Sequence, residues 1–251
     1  TARAYRNIAR FLFQNEEYKN AIFPLKKALD IQVNVFGIKH KETISSSKSL
    51  ALTYFELAQQ SDKKKNFIEA VTWYEKTLEI EKKYLGTGHA DLVITYYKLG
   101  KLLAKQSRYS EAERHYREAL EIETREIGPD HEDIAITYYS LAKTLAKQAK
   151  YSEAENYFQR TLQIELRELG DDDSEIALTL LWLGESQFHQ AKFADAELNL
   201  LKAFSLQLTQ YSGRDVKLRR VLKLLRDVSV ALGKDTDAQD FAEKIKSLEK
   251  L

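Results

Sequence analysis

Cysteine and methionine are both missing from the 251 residues of this chain. Without cysteine the chain has no disulfide, no thiolate metal site and no thiol nucleophile. Glycine and proline are scarce, with 9 and 2 residues, so the composition favours long helices over strands and turns. Every apolar run is far shorter than the roughly 18 to 20 residues that a membrane span needs. We therefore expect a helical, soluble, cytoplasmic protein with no membrane partner.

Charge of neither sign dominates, since the formal net charge is +1. This near neutrality argues against a strongly basic nucleic-acid binder, although the charge is unevenly spread. Residues 1–65 carry 12 basic against 6 acidic residues, whereas residues 111–175 carry 8 against 17. The chain begins in what reads as a helix, and we interpret it as a fragment of a longer protein.

A short pattern recurs along the whole chain. The string Tyr-Ser-Glu-Ala-Glu at Tyr109 is repeated at Tyr151, and the intervals between successive copies are 49, 42, 42, 42 and 42 residues. Each unit contains two amphipathic stretches with apolar residues spaced by three and four, which predicts a helical hairpin. The interval of 49 residues predicts about two extra helical turns around residues 61–66. The six copies begin at Tyr18, Phe67, Tyr109, Tyr151, Phe193 and Asp235.

Helix ends are marked at regular places in each unit. A glycine stands 19 residues after the aromatic and predicts a left-handed residue that ends the second helix. Serines just after the aromatic, with a glutamate three residues on, predict capping boxes. Histidines in the linkers are interpreted as residues that help to cap the next helix. These residues are Gly37, Gly86, Gly128 and Gly170, the pairs Ser110 with Glu113 and Ser152 with Glu155, and His40, His89 and His131.

Large and small residues alternate within each unit in a way that resembles the tetratricopeptide repeat. The 42-residue period and the linker Gly128-Pro129-Asp130-His131 are similar to the long-helix repeats of kinesin light chains. The small residues let the two helices of a hairpin approach closely. The pattern is Tyr96, Leu99, Gly100, Ala112, Tyr116 and Ala119, then Tyr138, Leu141, Ala142, Ala154, Phe158 and Thr161.

The resemblance implies an all-α fold of tandem helical hairpins that stack into a right-handed α-solenoid superhelix. We expect a single tetratricopeptide repeat domain over residues 1–251, with about five to six helix pairs. Residues 216–251 are expected to be a degenerate C-terminal capping pair, because Arg226 stands at a small-residue position and Asp235 replaces the aromatic.

Catalytic and metal-binding patterns are missing. Neither H-E-x-x-H, a Walker loop nor a nucleophile elbow occurs, and the linker histidines lie one repeat apart, too far to share a metal. The acidic run at 171–175 lacks the spacing and glycine of an EF-hand. The sequence therefore predicts no catalytic site, no metal and no cofactor.

A basic and aromatic strip is the candidate binding site. In the family the concave side, lined by first helices, is where ligands lie, and helical spacing places Tyr97, Lys101 and Lys105 together on that face. The same face recurs in other units. The alternative is that the tyrosines only pack between neighbouring hairpins and the lysines are ordinary solvated charges. The other predicted groove residues are Tyr139, Lys143, Lys147, Leu181, Phe188, Arg6 and Arg10.

Three functions remain open from the sequence. The first is a non-catalytic protein-interaction module that holds an acidic or aromatic-containing peptide segment, from a partner or from another domain of the same protein. The second is a regulatory sensor arm that controls an attached effector domain when a peptide or effector binds. The third is a nucleic-acid binder, which the acidic second helices and the near-zero net charge oppose.

Overall fold

The computed structural model describes residues 1–171, 173–210 and 216–249. Across these residues the chain forms twelve α-helices, two single-turn 3-10 helices and short connections, with no strand in the described ranges. Consecutive helices pack in pairs as antiparallel hairpins. The predicted all-α fold of tandem helical hairpins is confirmed.

The described chain divides into two compact units, residues 1–127 and 128–251. The first unit contains three hairpins. Its core joins apolar residues of its first three helices, with Tyr54 and Leu57 among the buried members. Its helices are α1 Ala2–Gln14, α2 Tyr18–Phe36, α3 Lys41–Lys63, α4 Phe67–Leu85, α5 Leu92–Lys105 and α6 Tyr109–Ile127.

The second unit also contains three hairpins, and its core includes Leu200, Leu225 and Phe241. Short 3-10 helices precede two of its first helices, at Glu132–Ile134 and Val216–Leu218. The expected C-terminal capping pair corresponds to the last two helices, and residues 250–251 lie outside the described residues. Its capping role stays a prediction. The single domain over residues 1–251 also stays a prediction. The helices are α7 Ala135–Lys147, α8 Tyr151–Leu169, α9 Ile176–Phe188, α10 Phe193–Gln210, α11 Arg219–Ala231 and α12 Asp235–Glu249.

The seven extra residues of the long interval all lie in helix α3. It has 23 residues, seven more than the 3 residues of the 3-10 helix Glu132–Ile134 and the 13 of α7 taken together. About 3.6 residues make one turn, so seven residues add close to two turns and keep the apolar face of α3 in register. The predicted two extra turns are confirmed, but they lengthen only the first helix of the hairpin, because α4 has 19 residues, as α6 and α8 do.

Small residues sit where the two helices of a hairpin approach most closely. A Cβ atom on Gly100 would lie 3.0 Å from the ring of Tyr116, and one on Gly184 would lie 2.7 Å from Cγ of Leu200. Ala112 is fully buried at the same kind of contact. A larger side chain would therefore collide with the partner helix, as the sequence predicts.

Helix ends follow most of the predicted signals. Helices α2, α4 and α8 stop immediately before a glycine, and Gly86 has a φ of +99°, a conformation that side chains with a Cβ rarely adopt. Each linker histidine accepts a hydrogen bond at Nδ1 from the backbone N–H two residues later. The distances are 3.2 Å for His40, 3.1 Å for His89 and 3.2 Å for His131. The predicted capping role of these histidines is confirmed.

The predicted capping box at Ser152 is wrong. Helix α8 already begins at Tyr151, with Lys150 as the preceding residue and no side-chain cap. Glu155 instead contacts residues that are distant in sequence. Its Oε2 accepts hydrogen bonds from Nζ of Lys192 at 2.6 Å and from Nε2 of Gln190 at 2.8 Å. The carboxylate thus ties α8 to the end of α9 rather than closing its own first turn.

Buried acidic or amide side chains recur 14 residues after each aromatic, a register that periodicity of apolar residues does not reveal. In the first unit Thr95 Oγ1 donates to Glu81 Oε1 at 3.2 Å. In the second unit Thr179 Oγ1 donates to Glu165 Oε1 at 3.1 Å. Glutamine takes this place in the first and fifth copies. The series is Gln32, Glu81, Glu123, Glu165 and Gln207.

Replacing Glu81 by glutamine should make stability less dependent on pH. Burial raises the pKa of Glu81 from its ordinary value of 4.5 to about 7, against the opposing hydrogen bond from Thr95. The protonated acid stabilises the fold fully below pH 4.5, and this stability is lost as the pH rises through 7. The unfolding free energy of Glu81→Gln, measured relative to wild type at each pH, should therefore rise by about 1–3 kcal/mol between pH 5 and pH 8.

Urea unfolding at the two pH values measures this difference. The matched control is Gln32→Glu, which places a carboxyl at the same repeat position and should lose stability at pH 8 relative to pH 5. An identical pH profile for wild type and Glu81→Gln would contradict the assignment of Glu81 as a buried, neutral acid.

Candidate functional site

A cluster of cations surrounds the ring of Trp182 in the second unit. Nζ of Lys143 lies 5.5 Å from the ring centroid, Nζ of Lys147 lies 5.2 Å from it, and Cζ of Arg220 lies 3.7 Å from it. The lysines are on α7, the tryptophan is on α9 and the arginine is on α11. First helices of three successive hairpins therefore meet at this ring. We call Lys143, Lys147, Trp182 and Arg220 the Trp182 cluster.

The ring of Trp182 is held in place by the hairpin core. It is 6% exposed and is stacked against Phe158 of α8, with ring centroids 6.3 Å apart. Arg220 also forms an ion pair with Glu185, one turn along α9. Because the ring is buried, the lysine ammonium groups are what the cluster presents to a ligand.

Electrostatics of the Trp182 cluster favour an anion. Lys143, Lys147 and Arg220 bring three positive charges to the ring, and Arg220 is paired with the carboxylate of Glu185. Cations beside low-dielectric aromatic surface are less screened than cations in open water. Both lysines are exposed, so a carboxylate can reach them from solvent.

The two predicted groove tyrosines are packing residues of their own hairpins. Tyr97 lies on Tyr116 with ring centroids 5.7 Å apart, and Tyr139 meets Phe158 edge-on at 5.8 Å. Burial raises the pKa of Tyr139 above its ordinary value. These ring contacts run between the first and second helix of one hairpin, and Tyr139 also forms a side-chain hydrogen bond with Trp182 of the next hairpin.

The first unit carries its own strip, formed by Tyr97, Lys101 and Lys105 on α5. Lys101 is exposed, whereas Lys105 is paired with Asp62 at 3.1 Å. Asp62 stands one residue before the end of α3, at the position of Ala104 in α5, and places a carboxylate against the strip. Nζ of Lys105 also lies 5.9 Å from the ring centroid of Phe67. This strip is therefore less basic than its sequence implies.

Arg6 and Arg10 come together at a pocket of about 190 Å³ in the first unit. Helices α1, α2 and α3 form this pocket, and Phe13 and Leu52 supply part of its apolar lining. Arg6 also pairs with Glu42 at the start of α3. The two arginines thus share one concavity.

The remaining predicted residues lie on helix α9. Leu181 is 3% exposed and belongs to the core of the second unit, so it cannot contact a ligand. Phe188 is half-buried against Phe193, with ring centroids 5.7 Å apart. Ten of the 13 residues of α9 are buried. A helix covered on most sides has no clear solvent face for a pattern to predict, which explains the misplacement of Leu181.

Trp182 and Arg220 were not among the residues predicted for the site. A signal for both exists in the 42-residue register. Trp182 stands at the position of Lys98 and Ser140, and Arg220 stands 42 residues after Leu178. The 42-residue register, continued into the last, degenerate unit, places Arg220 on the same helix face as the lysines.

The described residues include no metal site and no membrane-spanning helix, and one of their histidines has a lowered pKa. Among them, no group of three or more His, Asp or Glu side chains is placed to hold a metal ion. Burial, with the nearby charge of Arg114 adding to it, lowers the pKa of His115 to about 4, so this histidine is neutral at physiological pH. The acidic run provides a cap, because Asp173 Oδ1 accepts from the N–H of Glu175 at 2.8 Å, while Asp172 lies outside the described residues. None of the helices in the described ranges has the length and apolar character that crossing a bilayer requires.

Sequence models of the tetratricopeptide repeat match residues 1–42, 63–123 and 99–165, which together exceed half of the chain. The chain belongs to the tetratricopeptide repeat family. The resemblance drawn from the large and small residues is thereby confirmed. A comparison with curated proteins gives no match.

Solved structures of tetratricopeptide repeat proteins share the fold at low identity. BtubC (BKLC) from P. vanneervenii has a TM-score of 0.65 at 18% identity, covering 93% of this chain and 91% of that one. A putative kinesin light chain with nearly identical TPR-like repeats, from Podosopora anserina, has a TM-score of 0.52 at 18% identity over 84% and 96%. YrrB, described as a TPR protein with an unusual peptide-binding site, has a TM-score of 0.59 at 18% identity over 83% and 91%.

These likenesses establish the class of fold, an α-solenoid of tetratricopeptide repeats. Proteins of this family are generally non-catalytic scaffolds for protein–protein interaction. At this identity the neighbours carry no information on which residues of the present chain bind a ligand.

Proposed function

We propose that this chain is a non-catalytic interaction module that captures an acidic segment of a partner protein on the Trp182 cluster. The observation that carries the proposal is the convergence of Lys143, Lys147 and Arg220 on one aromatic ring. These residues come from three successive first helices, the elements that line the ligand-binding side in this family. The peptide-binding site named for YrrB is consistent with this class of function.

Carboxylates are the natural ligands of such a cluster. Ammonium and guanidinium groups form charge-assisted hydrogen bonds to carboxylate oxygens, and these bonds are shorter and stronger than neutral ones. Arg220 is paired with Glu185, so an incoming acidic side chain would compete with Glu185 for Arg220 and would also approach the exposed Lys143 and Lys147. The cluster therefore suits a segment with at least two acidic residues on one face.

Apolar contacts would complete the site. Ile136 and Leu178 lie on the same first helices as the cluster and are 57% and 53% exposed. Large aliphatic side chains at a protein surface favour apolar or aromatic groups on a ligand. We therefore propose a partner segment in which acidic residues alternate with apolar or aromatic ones. It belongs to another protein or to another part of the same polypeptide.

The first unit offers a second, weaker surface of the same kind. Lys101 and the pocket with Arg6 and Arg10 present positive charge beside aromatic side chains, although Glu42 and Asp62 offset part of it. We propose these residues as additional contacts for acidic groups, with smaller effects than those of the Trp182 cluster.

Titration of a labelled acidic peptide tests the proposal. The probe is a blocked twelve-residue peptide in which Glu alternates with Leu and Phe, and its control has Gln in place of each Glu. The double variant Lys143→Glu/Lys147→Glu should weaken binding of the acidic peptide tenfold or more, because attraction is replaced by repulsion. Wild type should bind the control peptide much more weakly than the acidic peptide. Higher salt should reduce the difference in affinity between the two peptides.

A matched control makes the same change of charge at two lysines outside the Trp182 cluster. Lys244→Glu/Lys246→Glu alters two exposed lysines of α12 in the same unit and should leave binding close to wild type. Equal losses for both double variants would mean that only net charge matters and would refute the site. A single-stranded oligonucleotide of equal charge that binds more tightly than the peptide would favour the nucleic-acid alternative and contradict the proposal.

A further inference from the structure

A separate pocket in the second unit lies among helices α7, α8, α9 and α10. Its volume is about 530 Å³. Ile136 and Leu178 form an apolar part of the lining, and because both are more than half exposed the pocket is open to solvent. Glu132, Glu165, Glu175 and Gln207 supply its polar atoms. We call it the acidic pocket.

Two buried acceptors at the acidic pocket have no hydrogen-bond donor among the residues that the structure describes. Glu165 accepts from Thr179 at Oε1, but its Oε2 is buried and has no partner among the described residues. Gln207 is 5% exposed, and its Oε1 is likewise buried and unpartnered within the described part of the chain. A buried acceptor without a donor costs about 1–3 kcal/mol. Both atoms therefore favour a ligand that brings N–H groups.

The charged side chains that line the acidic pocket are all acidic, while Arg220 of α11 acts from outside the lining on Tyr139. Carboxyl groups reach it from three places: Glu132 before α7, Glu165 on α8 and Glu175 at the start of α9. From α7 and α10 the pocket receives Tyr139 and Gln207, which are neutral near pH 7. None of the described residues that line it is Lys, Arg or His. A cation would meet three carboxyl groups and no repulsion from the lining.

We propose that the acidic pocket binds a cationic N–H donor, an ammonium or guanidinium group, whose apolar stem lies against Ile136 and Leu178. The cation would donate to Oε2 of Glu165 and Oε1 of Gln207. Such a group can be the Lys or Arg side chain of a bound peptide or a free small amine. The pocket uses none of the cations of the Trp182 cluster, but it shares Ile136 and Leu178 with the apolar contacts proposed for the acidic segment.

The protonation state of Glu165 gives the proposal a second signature. Burial, with the charge of Glu175 adding to it, raises the pKa of Glu165 to about 7 against the hydrogen bond from Thr179. A bound cation stabilises the ionised form of the acid. Binding should therefore tighten as the pH rises through 7, and protons should be released when the cation binds below that pH.

Calorimetric titration with matched probes tests the inference on the whole chain. One probe pair is n-butylguanidinium with neutral n-butylurea. The other is the blocked tripeptide Leu-Arg-Leu with the same peptide carrying citrulline, an uncharged analogue of arginine. Each charged probe should bind at least tenfold more tightly than its neutral counterpart at pH 8. Tighter binding of the tripeptide than of n-butylguanidinium supports a partner side chain, whereas equal binding supports a small amine.

Substitution of the acceptors locates the binding. Glu165→Gln should weaken the charged probe at least fivefold and remove the rise in affinity between pH 6 and pH 8. Glu81→Gln, the same change at the equivalent position of the first unit, should do neither, and Gln207→Leu serves as a second test if Glu165→Gln does not fold. Equal binding of charged and neutral probes, or unchanged binding by folded acceptor variants, would overturn the proposal. Lys143→Glu/Lys147→Glu should not weaken the charged probes, so this test is independent of the acidic-peptide site.

Discussion

Replacing Gly184 by leucine is expected to destabilise the second unit by at least about 1–3 kcal/mol. Gly184 lies where α9 crosses α10, and a Cβ atom there would be 2.7 Å from Cγ of Leu200 and 3.2 Å from the carbonyl oxygen of Ala196. Leu200 is fully buried, and the carbonyl group of Ala196 belongs to the backbone of α10. Neither can move without separating the helices, so the added side chain should force the hairpin open.

Chemical unfolding followed by circular dichroism measures this effect. The control is Ala194→Leu, which adds a side chain of the same size at an exposed position of α10 in the same hairpin. Ala194→Leu should change the unfolding free energy little. Equal stability of Gly184→Leu and Ala194→Leu would show that the close approach of α9 and α10 has been misassigned.

Truncating Trp182 to alanine should cost about 3–5 kcal/mol of unfolding free energy. The ring is 6% exposed, is stacked on Phe158 and lies under the guanidinium of Arg220. Its removal leaves a cavity between α7, α9 and α11 and takes away the surface on which the cations converge. Acidic-peptide affinity should also fall in the fraction that remains folded, because Lys143 and Lys147 lose their common neighbour.

Trp182→Phe separates packing from the cation contacts. Phenylalanine retains an aromatic face, so this variant should lose less stability than Trp182→Ala and keep most of its affinity for the acidic peptide. Urea unfolding and peptide titration at a temperature well below the midpoint give both values. If Trp182→Ala were as stable as wild type, the ring could not be the structural centre of the cluster.

Much of the fold can be predicted from the sequence because the repeat constrains it locally. The 42-residue interval, the helical spacing of apolar residues and the glycines that end second helices each reflect backbone or packing geometry within one hairpin. The signals failed where a distant contact decided the outcome. Glu155 forms a capping-box pattern with Ser152, yet it bonds to Lys192 near the end of the next helix.

The candidate site is less predictable because it depends on which helices cover one another. A helical-face argument places Lys143 and Lys147 correctly as exposed cations, but it cannot tell that α9 is buried on most sides. Leu181 therefore falls in the core, whereas Trp182 becomes the neighbour of the lysines. Arg220 comes from a unit whose repeat pattern has decayed. The unpartnered acceptors of the acidic pocket depend on atomic hydrogen bonding that no residue pattern encodes.

Photo-crosslinking of the acidic peptide is the most direct test of the proposed function. The twelve-residue probe carries a benzophenone beside its central Glu, and mass spectrometry of the digested complex identifies the attached residues. We expect crosslinks in the first helices Ala135–Lys147, Ile176–Phe188 and Arg219–Ala231, and we expect Lys143→Glu/Lys147→Glu to lose them. Crosslinks confined to the second helices Tyr151–Leu169 and Phe193–Gln210 would contradict the proposed function.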